Sequence, residues 1–188
     1  MRTLVTQLET EHRSLDKLVG LLDNFPAILS RVRPALAETT LLVDVLGYLT
    51  QFPDVRHHPV EDRIVAALRA KQALPADLGE EIERQHRVLA RQGIDLMRDL
   101  ESAAREETTL WAQLPIEIRL YAERLRHNMA VEELALFPLA LVALDNDDAL
   151  AIGTYLSEAS QNDFIDTAMA RFSDLHWIIA TEAGCGCP

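Results

Sequence analysis

Apolar residues recur every three or four positions along most of this chain, and that period is typical of amphipathic α-helices. Short breaks that contain proline or aspartate separate the periodic stretches. Residues 25–33 and the polar stretch 106–109 are expected to be connections. The pattern predicts helices at 3–23, at 34–52, from near Pro59 to about residue 71, from the break at 74–77 to about residue 106, from Pro115 to about residue 144, and at 149–181.

The order of these helices predicts an all-α fold, an antiparallel four-helix bundle with an additional C-terminal helix. The bundle is expected to take residues 1–145, and residues 146–188 to form a last helix and a cysteine-containing tail that pack on the same domain. Pro53 is interpreted as an interruption of the second helix, because proline is poorly tolerated inside a helix. Only seven of the 188 residues are glycines and 48% are hydrophobic, which favours long helices around a substantial core over a turn-rich β fold.

Acidic residues outnumber basic ones by 30 to 18, which gives a formal net charge of −12. This balance argues against nucleic acid or an anionic membrane as the main partner, since both bind basic surfaces. No leader and no membrane-spanning stretch are expected, so we predict a cytoplasmic protein. Cys185 and Cys187 both lie in the last four residues, where they cannot build a disulfide framework, and a redox or metal-binding role of the tail stays open.

Histidines and acidic residues occur together within the periodic stretches. His57 and Glu61 are four residues apart, so they share one face of a helix and could bind one metal ion. His12, His86 and His127 each stand in another predicted helix. A lone histidine on an apolar face is more often a hydrogen-bonded core residue than a ligand. The whole set favours a metal site, because several unpaired imidazoles and carboxylates would be costly to bury without a cation.

The types of side chain narrow the choice of metal. Imidazole and carboxylate ligands without a nearby thiolate disfavour structural zinc and suit iron or manganese, in pairs that carboxylates bridge. Glu61 and Glu132 are the candidates for bridging. The large share of histidine makes iron the first choice of cofactor, ahead of manganese or zinc.

These residues resemble the hemerythrin-like, HHE cation-binding family over about residues 3–144. The resemblance is carried by Glu11-His12-Arg13, by His57-His58-Pro59-Val60-Glu61-Asp62, by Arg84-Gln85-His86-Arg87-Val88-Leu89, and by His127 to Glu133 continuing to Leu136-Phe137-Pro138. It implies a four-helix bundle around a non-heme di-iron site whose two irons share an oxo or hydroxo bridge. The ligands that it implies are His12, His57, Glu61, His86, His127 and Glu132.

Two features of the first three helices leave part of this ligand set open. His58 could replace His57, although the four-residue spacing to Glu61 favours His57 and leaves His58 beside the site or facing solvent. The chain also departs from the family at Ala90, where oxygen-carrying hemerythrins have a second histidine four residues after the one that corresponds to His86. Fewer protein ligands imply a more open metal, which suits water, peroxide or nitric oxide better than reversible oxygen carriage.

The fourth helix leaves a further choice open. His127 and Glu132 are five residues apart, so their side chains diverge on a regular α-helix, whereas a single π-type turn would align them. Asn128 occupies the position four residues before Glu132. Glu133 is the alternative ligand to Glu132.

The resemblance implies a protein that binds metal ions and that senses or binds oxygen, nitric oxide or peroxide, or handles iron. The alternative is a di-iron enzyme, such as a peroxidase, an oxidase, a nitric oxide-consuming enzyme or an iron donor for iron–sulfur repair. A metal-free helical interaction protein is the third possibility. The sequence does not choose among these functions, and it leaves both a monomer and a homodimer open.

Overall fold

The computed structural model describes residues 1–23, 36–104 and 113–159. Every element in these ranges is helical and none is a strand, which confirms the prediction of an all-α fold. The expected connection at 25–33, the polar stretch 106–109, the C-terminal helix beyond residue 159 and the tail with its two cysteines lie outside the described residues.

The described residues form α-helices and two π-helical turns. The sequence periodicity predicted the helical stretches with small differences at their described ends, but it predicted one helix from Pro115 to about residue 144 where the chain forms two α-helices joined by a π-helical turn. The elements are α1 (Arg2–Leu22), α2 (Leu36–Phe52), π1 (Pro53–His57), α3 (His58–Ala70), α4 (Ala76–Ala104), α5 (Leu114–Val131), π2 (Glu132–Leu136), α6 (Phe137–Ala143) and α7 (Asn146–Ala159).

The two π-helical turns keep the chain helical where it would otherwise break. In π1 the N–H of His58 donates to the carbonyl of Pro53, five residues earlier, and in π2 the N–H of Phe137 donates to the carbonyl of Glu132. Proline lacks an N–H and its ring crowds the preceding turn, and a wider turn accommodates both effects. The interpretation of Pro53 as an interruption is therefore wrong, because α2 continues through π1 into α3.

Contacts among four helices close into a ring. α1 packs against α2 and α5, and α4 also packs against α2 and α5. α3 packs on α4 and α6, and α7 lies against α3. The ring encloses an interior into which the buried side chains project.

Two apolar clusters fill this interior. The first joins the C-terminal half of α1 to α2, α4 and α5, and includes Leu15, Leu22, Leu42, Leu49, Leu89, Leu96, Ile118 and Leu125. The second joins the N-terminal half of α1 to α3, α4, α6 and α7, and includes Leu4, Leu8, Ile64, Leu68, Ile82, Leu136, Phe137 and Ile152. Burial of these side chains is the main force that holds the helices together.

A polar layer lies between the two apolar clusters. On α1, His12 stands between Leu8 of the second cluster and Leu15 of the first. In the same way, His86 separates residues of the two clusters along α4, and Glu132 separates them between α5 and α6. The polar residues that the sequence placed on apolar helix faces therefore meet at one level of the interior.

The start of α7 is fixed by its acidic residues. The side-chain oxygen Oδ1 of Asp145 accepts hydrogen bonds from the backbone N–H groups of Asp147 and Asp148, at 2.9 and 3.1 Å, so Asp145 caps the helix. Lys71, at the end of α3, donates to the carboxylates of Asp145 and Asp148. These contacts tie α7 to α3.

No single helix among the described residues is long and apolar enough to cross a membrane. The segments Leu114–Ala143 and Asn146–Thr154 reach that length and composition only when taken together, and their axes are bent by 117° at the junction.

Gly93 of α4 marks a close approach to α2. A Cβ atom added at Gly93 would lie 2.8 Å from Cγ2 and 2.9 Å from Cβ of Thr50. Thr50 is buried and β-branched, and its hydroxyl donates to the carbonyl of Leu46, so it has little freedom to move aside. We expect Gly93→Ala to lower the free energy of unfolding by about 1–3 kcal/mol, as overpacking does elsewhere.

Gly47→Ala on α2 is the matched control for this substitution. Nothing lies within 4 Å of a Cβ atom added at Gly47. Because alanine favours the helix, this change should leave the free energy of unfolding unaltered or raise it by up to about 1 kcal/mol. Urea unfolding followed by circular dichroism measures both variants. Equal stabilities of the two would contradict the close approach of α4 to Thr50.

Candidate metal centre

Six side chains from five helical segments project into the polar layer. They are His12 of α1, His57 of π1, His58 and Glu61 of α3, His86 of α4 and Glu132 of π2, and all six are buried. The two glutamates have 0% of their surface exposed. A carboxylate without a partner charge is unfavourable at such a position. The two carboxylates therefore require positive charge close by.

Local helix geometry places His57 and His58 on two sides of one carboxylate. Glu61 follows His57 by four residues and His58 by three, and both spacings bring side chains together on a helix. The Nε2 atom of His57 lies 3.2 Å from Oε1 of Glu61. The ring of His58 instead stacks on the ring of His86, with 4.1 Å between the ring centroids. The two consecutive imidazoles thus lie on different sides of Glu61.

The first group of possible metal ligands consists of His12, His57, Glu61 and Glu132. One nitrogen or oxygen atom from each of them lies within 4.8 Å of all the others. The Nε2 atom of His12 is 3.3 Å from Oε1 of Glu61 and 3.4 Å from Oε2 of Glu132. Two imidazoles and two carboxylates at these distances could hold one metal ion.

A second group of possible ligands shares Glu61 with the first. It consists of His58, Glu61 and His86, whose ligand atoms also lie within 4.8 Å of one another. The Nε2 atom of His86 is 3.6 Å from Oε2 of Glu61, whereas His57 approaches Oε1. Because the two oxygens of this carboxylate face different groups, Glu61 could bridge two metal ions.

Six of the atoms that face the centre of the cluster have no hydrogen-bond partner among the described residues, while Nε2 of His86 and Oε1 of Glu132 pair with each other at 2.9 Å. The six are Nε2 of His12, His57 and His58, both carboxylate oxygens of Glu61, and Oε2 of Glu132. Buried polar atoms in folded proteins are nearly always paired. Six unpaired nitrogen and oxygen atoms that converge on one place are therefore unusual in a folded protein. Because imidazole nitrogen and carboxylate oxygen are both metal ligands, this arrangement fits a metal site.

Each inner imidazole is held from outside by a carboxylate at its other nitrogen. The Nδ1 atoms of His12, His57, His58 and His86 lie 3.0, 2.7, 3.2 and 2.9 Å from oxygens of Glu133, Glu11, Asp54 and Asp62, respectively. A carboxylate only accepts hydrogen bonds, so each Nδ1 carries a proton, and the lone pair of Nε2 would point into the cluster when the ring is neutral, as it is in a bound metal ligand. Metal-binding histidines are oriented in this way.

The surrounding carboxylates also shift the pKa values of the imidazoles. Burial lowers the pKa of His12, but Glu132 and Glu61 outweigh burial and raise the pKa to about 10. Burial opposes the carboxylates around His86 as well, and they raise the pKa of its imidazole to about 10. For His58 burial dominates and lowers the pKa. Metal ions bind neutral imidazole, so an entering cation would displace the protons that His12 and His86 hold at neutral pH.

The structure does not bring His127 into the cluster, and this corrects the predicted ligand set. The side chain of His127 is exposed. Regular α-helix extends to Val131, and π2 begins only at Glu132, so no π turn between His127 and Glu132 aligns them. Asn128 takes the inward position instead, and its Nδ2 atom donates to Oε1 of Glu132 at 2.7 Å.

The remaining members of the predicted set lie together in the polar layer. They are His12, His57, Glu61, His86 and Glu132. Of the two glutamates that the sequence left open, Glu132 faces the cluster, and Glu133 contacts His12 from outside. These positions agree with the expected ligands, while their binding of a metal stays a prediction.

Sequence reasoning missed the position of His58, which is buried and faces the cluster rather than solvent. The helical-phase argument treated His57 and His58 as alternatives, because neighbouring residues on a helix point in different directions. The sequence did contain a signal. His58 is three residues before Glu61 and four residues after Asp54, and each spacing pairs side chains on a helix.

Comparison with known families agrees with these positions. A family model described as the hemerythrin HHE cation-binding domain matches residues 3–140, which include all six side chains of the cluster. No curated protein and no solved structure matches the chain.

Substitutions at His58 and at His127 should have different effects on metal binding. We expect His58→Ala to remove about one bound metal ion per chain, because it takes one of three ligands from the second group. His127→Ala should leave the number unchanged, because that side chain is exposed. Elemental analysis of both purified variants after dialysis measures the metal content. A loss in His127→Ala equal to that in His58→Ala would contradict the corrected ligand set.

Proposed function

The chain belongs to the hemerythrin HHE cation-binding domain family, and from that membership and the six converging side chains we propose that it holds two iron ions and binds a small ligand at them. Oxygen, nitric oxide and peroxide form the proposed class of ligand. Membership in the family implies cation binding in general. The number of ions, their identity and the ligand are our proposal.

The observation that carries the proposal is the set of buried, unpaired atoms at the centre of the cluster. The first group of ligands would hold one ion and the second group the other, with Glu61 between them. The chemistry of the donors fits iron, because imidazole and carboxylate without thiolate suit iron and manganese better than structural zinc. Bound iron would supply a redox-active centre that can take an added ligand.

The side chains around the cluster would set the properties of such a centre. Donation from Nδ1 of His57 to Glu11 and from Nδ1 of His12 to Glu133 keeps both Nε2 lone pairs directed inward. The carboxylate of Glu61, with both oxygens unpaired, would offset the charge of two cations. The apolar clusters on either side would limit the access of water and leave room only for small molecules.

An incomplete ligand set in the second group supports the binding of a small molecule. This group offers three ligand atoms, whereas the first group offers four. Ala90, one helical turn after His86, adds no further ligand. A metal with few protein ligands keeps positions free for water or an added molecule. Oxygen, nitric oxide and peroxide are small enough for a site enclosed by packed helices.

The proposal includes the arrangement of the chain around the site. We propose that α1, α2, α4 and α5 form an antiparallel four-helix bundle, which the closed ring of contacts among them supports. We also propose that residues 146–188 pack on the same domain as residues 1–145. The contact of α7 with α3, including the hydrogen bonds from Lys71 to Asp145 and Asp148, supports this organisation.

Protein purified from iron-replete cells should carry about two iron ions per chain and show ferric charge-transfer absorption. Added iron should raise its melting temperature, because an ion that binds only the folded state stabilises it. The double variant His57→Ala, Glu61→Ala should lose most of the iron and the stabilisation. Metal analysis, absorption spectra and thermal unfolding measure these effects.

The control for this experiment is His127→Ala with Glu123→Ala. It removes the same two residue types at the same four-residue spacing, but from an exposed face of α5. This control should keep the iron content and the stabilisation of the wild type. Less than one ion per wild-type chain, or equal stabilisation of the site variant, would overturn the proposal.

Nitric oxide added without oxygen to the ferrous protein should change its absorption up to a fixed end point. A binding or sensing protein saturates in this way, because its ligand is held and not converted. Sustained consumption of nitric oxide or of peroxide over many equivalents, lost in His57→Ala, would instead favour a di-iron enzyme. The absence of any spectral change in iron-loaded protein would argue against this class of ligand.

A further inference from the structure

The last turn of α2 contains a backbone carbonyl that its own helix does not pair in the regular way. In a regular α-helix the carbonyl of Leu49 would accept a hydrogen bond from the N–H of the residue four positions later. That residue is Pro53, whose ring nitrogen carries no hydrogen. Leu49 has 0% of its surface exposed, so bulk water does not replace the missing donor. A buried carbonyl without a partner would be unfavourable at this position.

A tyrosine of α5 supplies a hydrogen bond to this carbonyl. The hydroxyl of Tyr121 donates to the carbonyl oxygen of Leu49 at 2.6 Å. Tyr121 is 2% exposed, and its ring packs in the first apolar cluster. Burial, together with the charge of Asp54, raises the pKa of the phenol, which therefore keeps its proton and acts as the donor. One hydroxyl thus takes the place of the N–H that Pro53 lacks.

This hydrogen bond joins two helices that stand opposite each other in the ring. α2 and α5 each pack against α1 and α4, so a contact between them crosses the interior. The position of the end of α2 is therefore set by α5 as well as by its neighbours. α5 leads into π2, which carries Glu132 of the metal cluster.

The backbone beyond Leu49 leads directly into the metal cluster. π1 begins at Pro53, and the N–H of His58 donates to the carbonyl of Pro53. Nδ1 of His58 donates to Asp54 of this turn at 3.2 Å, and His57 ends the turn. His57 belongs to the first group of ligand atoms and His58 to the second. The positions of both imidazoles therefore depend on the point at which α2 changes to the wider turn.

We propose that Tyr121 is a positioning residue for His57 and His58, and that it acts through the carbonyl of Leu49. This inference rests on the proposed metal function. The hydrogen bond fixes the last turn of α2, so that the wider turn starts at Pro53 and each histidine reaches its own group of ligand atoms. Without the hydroxyl, the carbonyl of Leu49 turns toward another donor, and the turn that follows it moves as well. Tyr121 itself belongs to neither group.

Titration of the metal-free, full-length protein with Co²⁺ tests this role in Tyr121→Phe, which keeps the ring and removes the hydroxyl. Because both histidines shift, the variant should bind Co²⁺ about tenfold more weakly than the wild type, the lower end of the effect seen when partners of metal ligands are removed elsewhere. The visible absorption of the Co²⁺-saturated variant should also differ from that of the wild type, because it reports the geometry of the ligands around the ion. A loss of stability alone would leave that spectrum unchanged.

Thr50→Val is the matched control. It removes one hydroxyl from a buried residue of the same helix and keeps a side chain of similar shape. The hydroxyl of Thr50 donates to the carbonyl of Leu46 at 2.8 Å. Within α2 that carbonyl also accepts the backbone N–H of Thr50, so it keeps a donor in the variant. The affinity for Co²⁺ and the spectrum should stay at their wild-type values in this control.

A second substitution tests whether Tyr121 takes the place of the missing N–H. Pro53→Ala restores a backbone N–H four residues after Leu49. In this background the carbonyl of Leu49 has a donor within its own helix, so Tyr121→Phe should lower the midpoint of urea unfolding less than it does in the wild type. The four proteins form a double-mutant cycle, which isolates the interaction between the two positions.

The proposal is overturned if Tyr121→Phe keeps the Co²⁺ spectrum of the wild type, whatever its affinity, or if Tyr121→Phe lowers the urea midpoint equally in both backgrounds. Where Tyr121→Phe does not fold, its combination with Pro53→Ala decides, because the restored N–H should recover folding, and a double variant that also fails to fold overturns the proposal. A wild type that binds no Co²⁺ overturns the metal function and this role together. A wild type that binds Co²⁺ with the same spectrum as Tyr121→Phe overturns only the role of Tyr121.

Discussion

Two carboxylates with no exposed surface, those of Glu61 and Glu132, lie among four buried imidazoles between two apolar clusters. Leaving such charges without compensation in the interior would cost several kcal/mol, so the chain must supply positive charge on every side of them. Four helical segments each bring one imidazole to the same level, and the imidazoles whose pKa the carboxylates raise, those of His12, His57 and His86, supply this charge. The polar layer therefore imposes the register in which the helices pack, and the apolar clusters above and below it hold that register.

The inner residues depend on an outer set of carboxylates that reaches the surface. Each inner imidazole donates from Nδ1 to an acidic side chain, and the four acceptors come from α1, π1, α3 and π2. Asn128 extends the same principle to a glutamate, through Gln85 to the partly exposed Glu81. The acidic composition of the chain thus has a local function. Part of the negative charge surrounds and orients the imidazoles of the proposed metal centre.

Backbone irregularity occurs at the residues that form the cluster. π1 ends at His57 and π2 begins at Glu132, and the residues between α2 and α3 remain helical despite Pro53. π-helical turns are rare and are frequent at functional sites, since they change the direction of side chains without ending the helix. Here π1 ends at the first of two consecutive histidines, His57 and His58, which face different groups of ligand atoms. On a regular α-helix consecutive side chains point in different directions, so the sequence did not suggest that both histidines face inward.

The sequence by itself determined the helices, the all-α class and most of the residues that meet in the polar layer. Periodic apolar positions fix which face of each helix is buried, so His12, His57, Glu61 and His86 were predictable as inward residues from their place on those faces. Only the tertiary structure decided which residue of the fourth helix faces inward and which role His58, the neighbour of His57, takes. The choice between His127 and Asn128 depends on where the π turn begins, and the role of His58 depends on His86 of another helix. Both are decided by the packing of helices against one another, which a pattern within one helix does not contain.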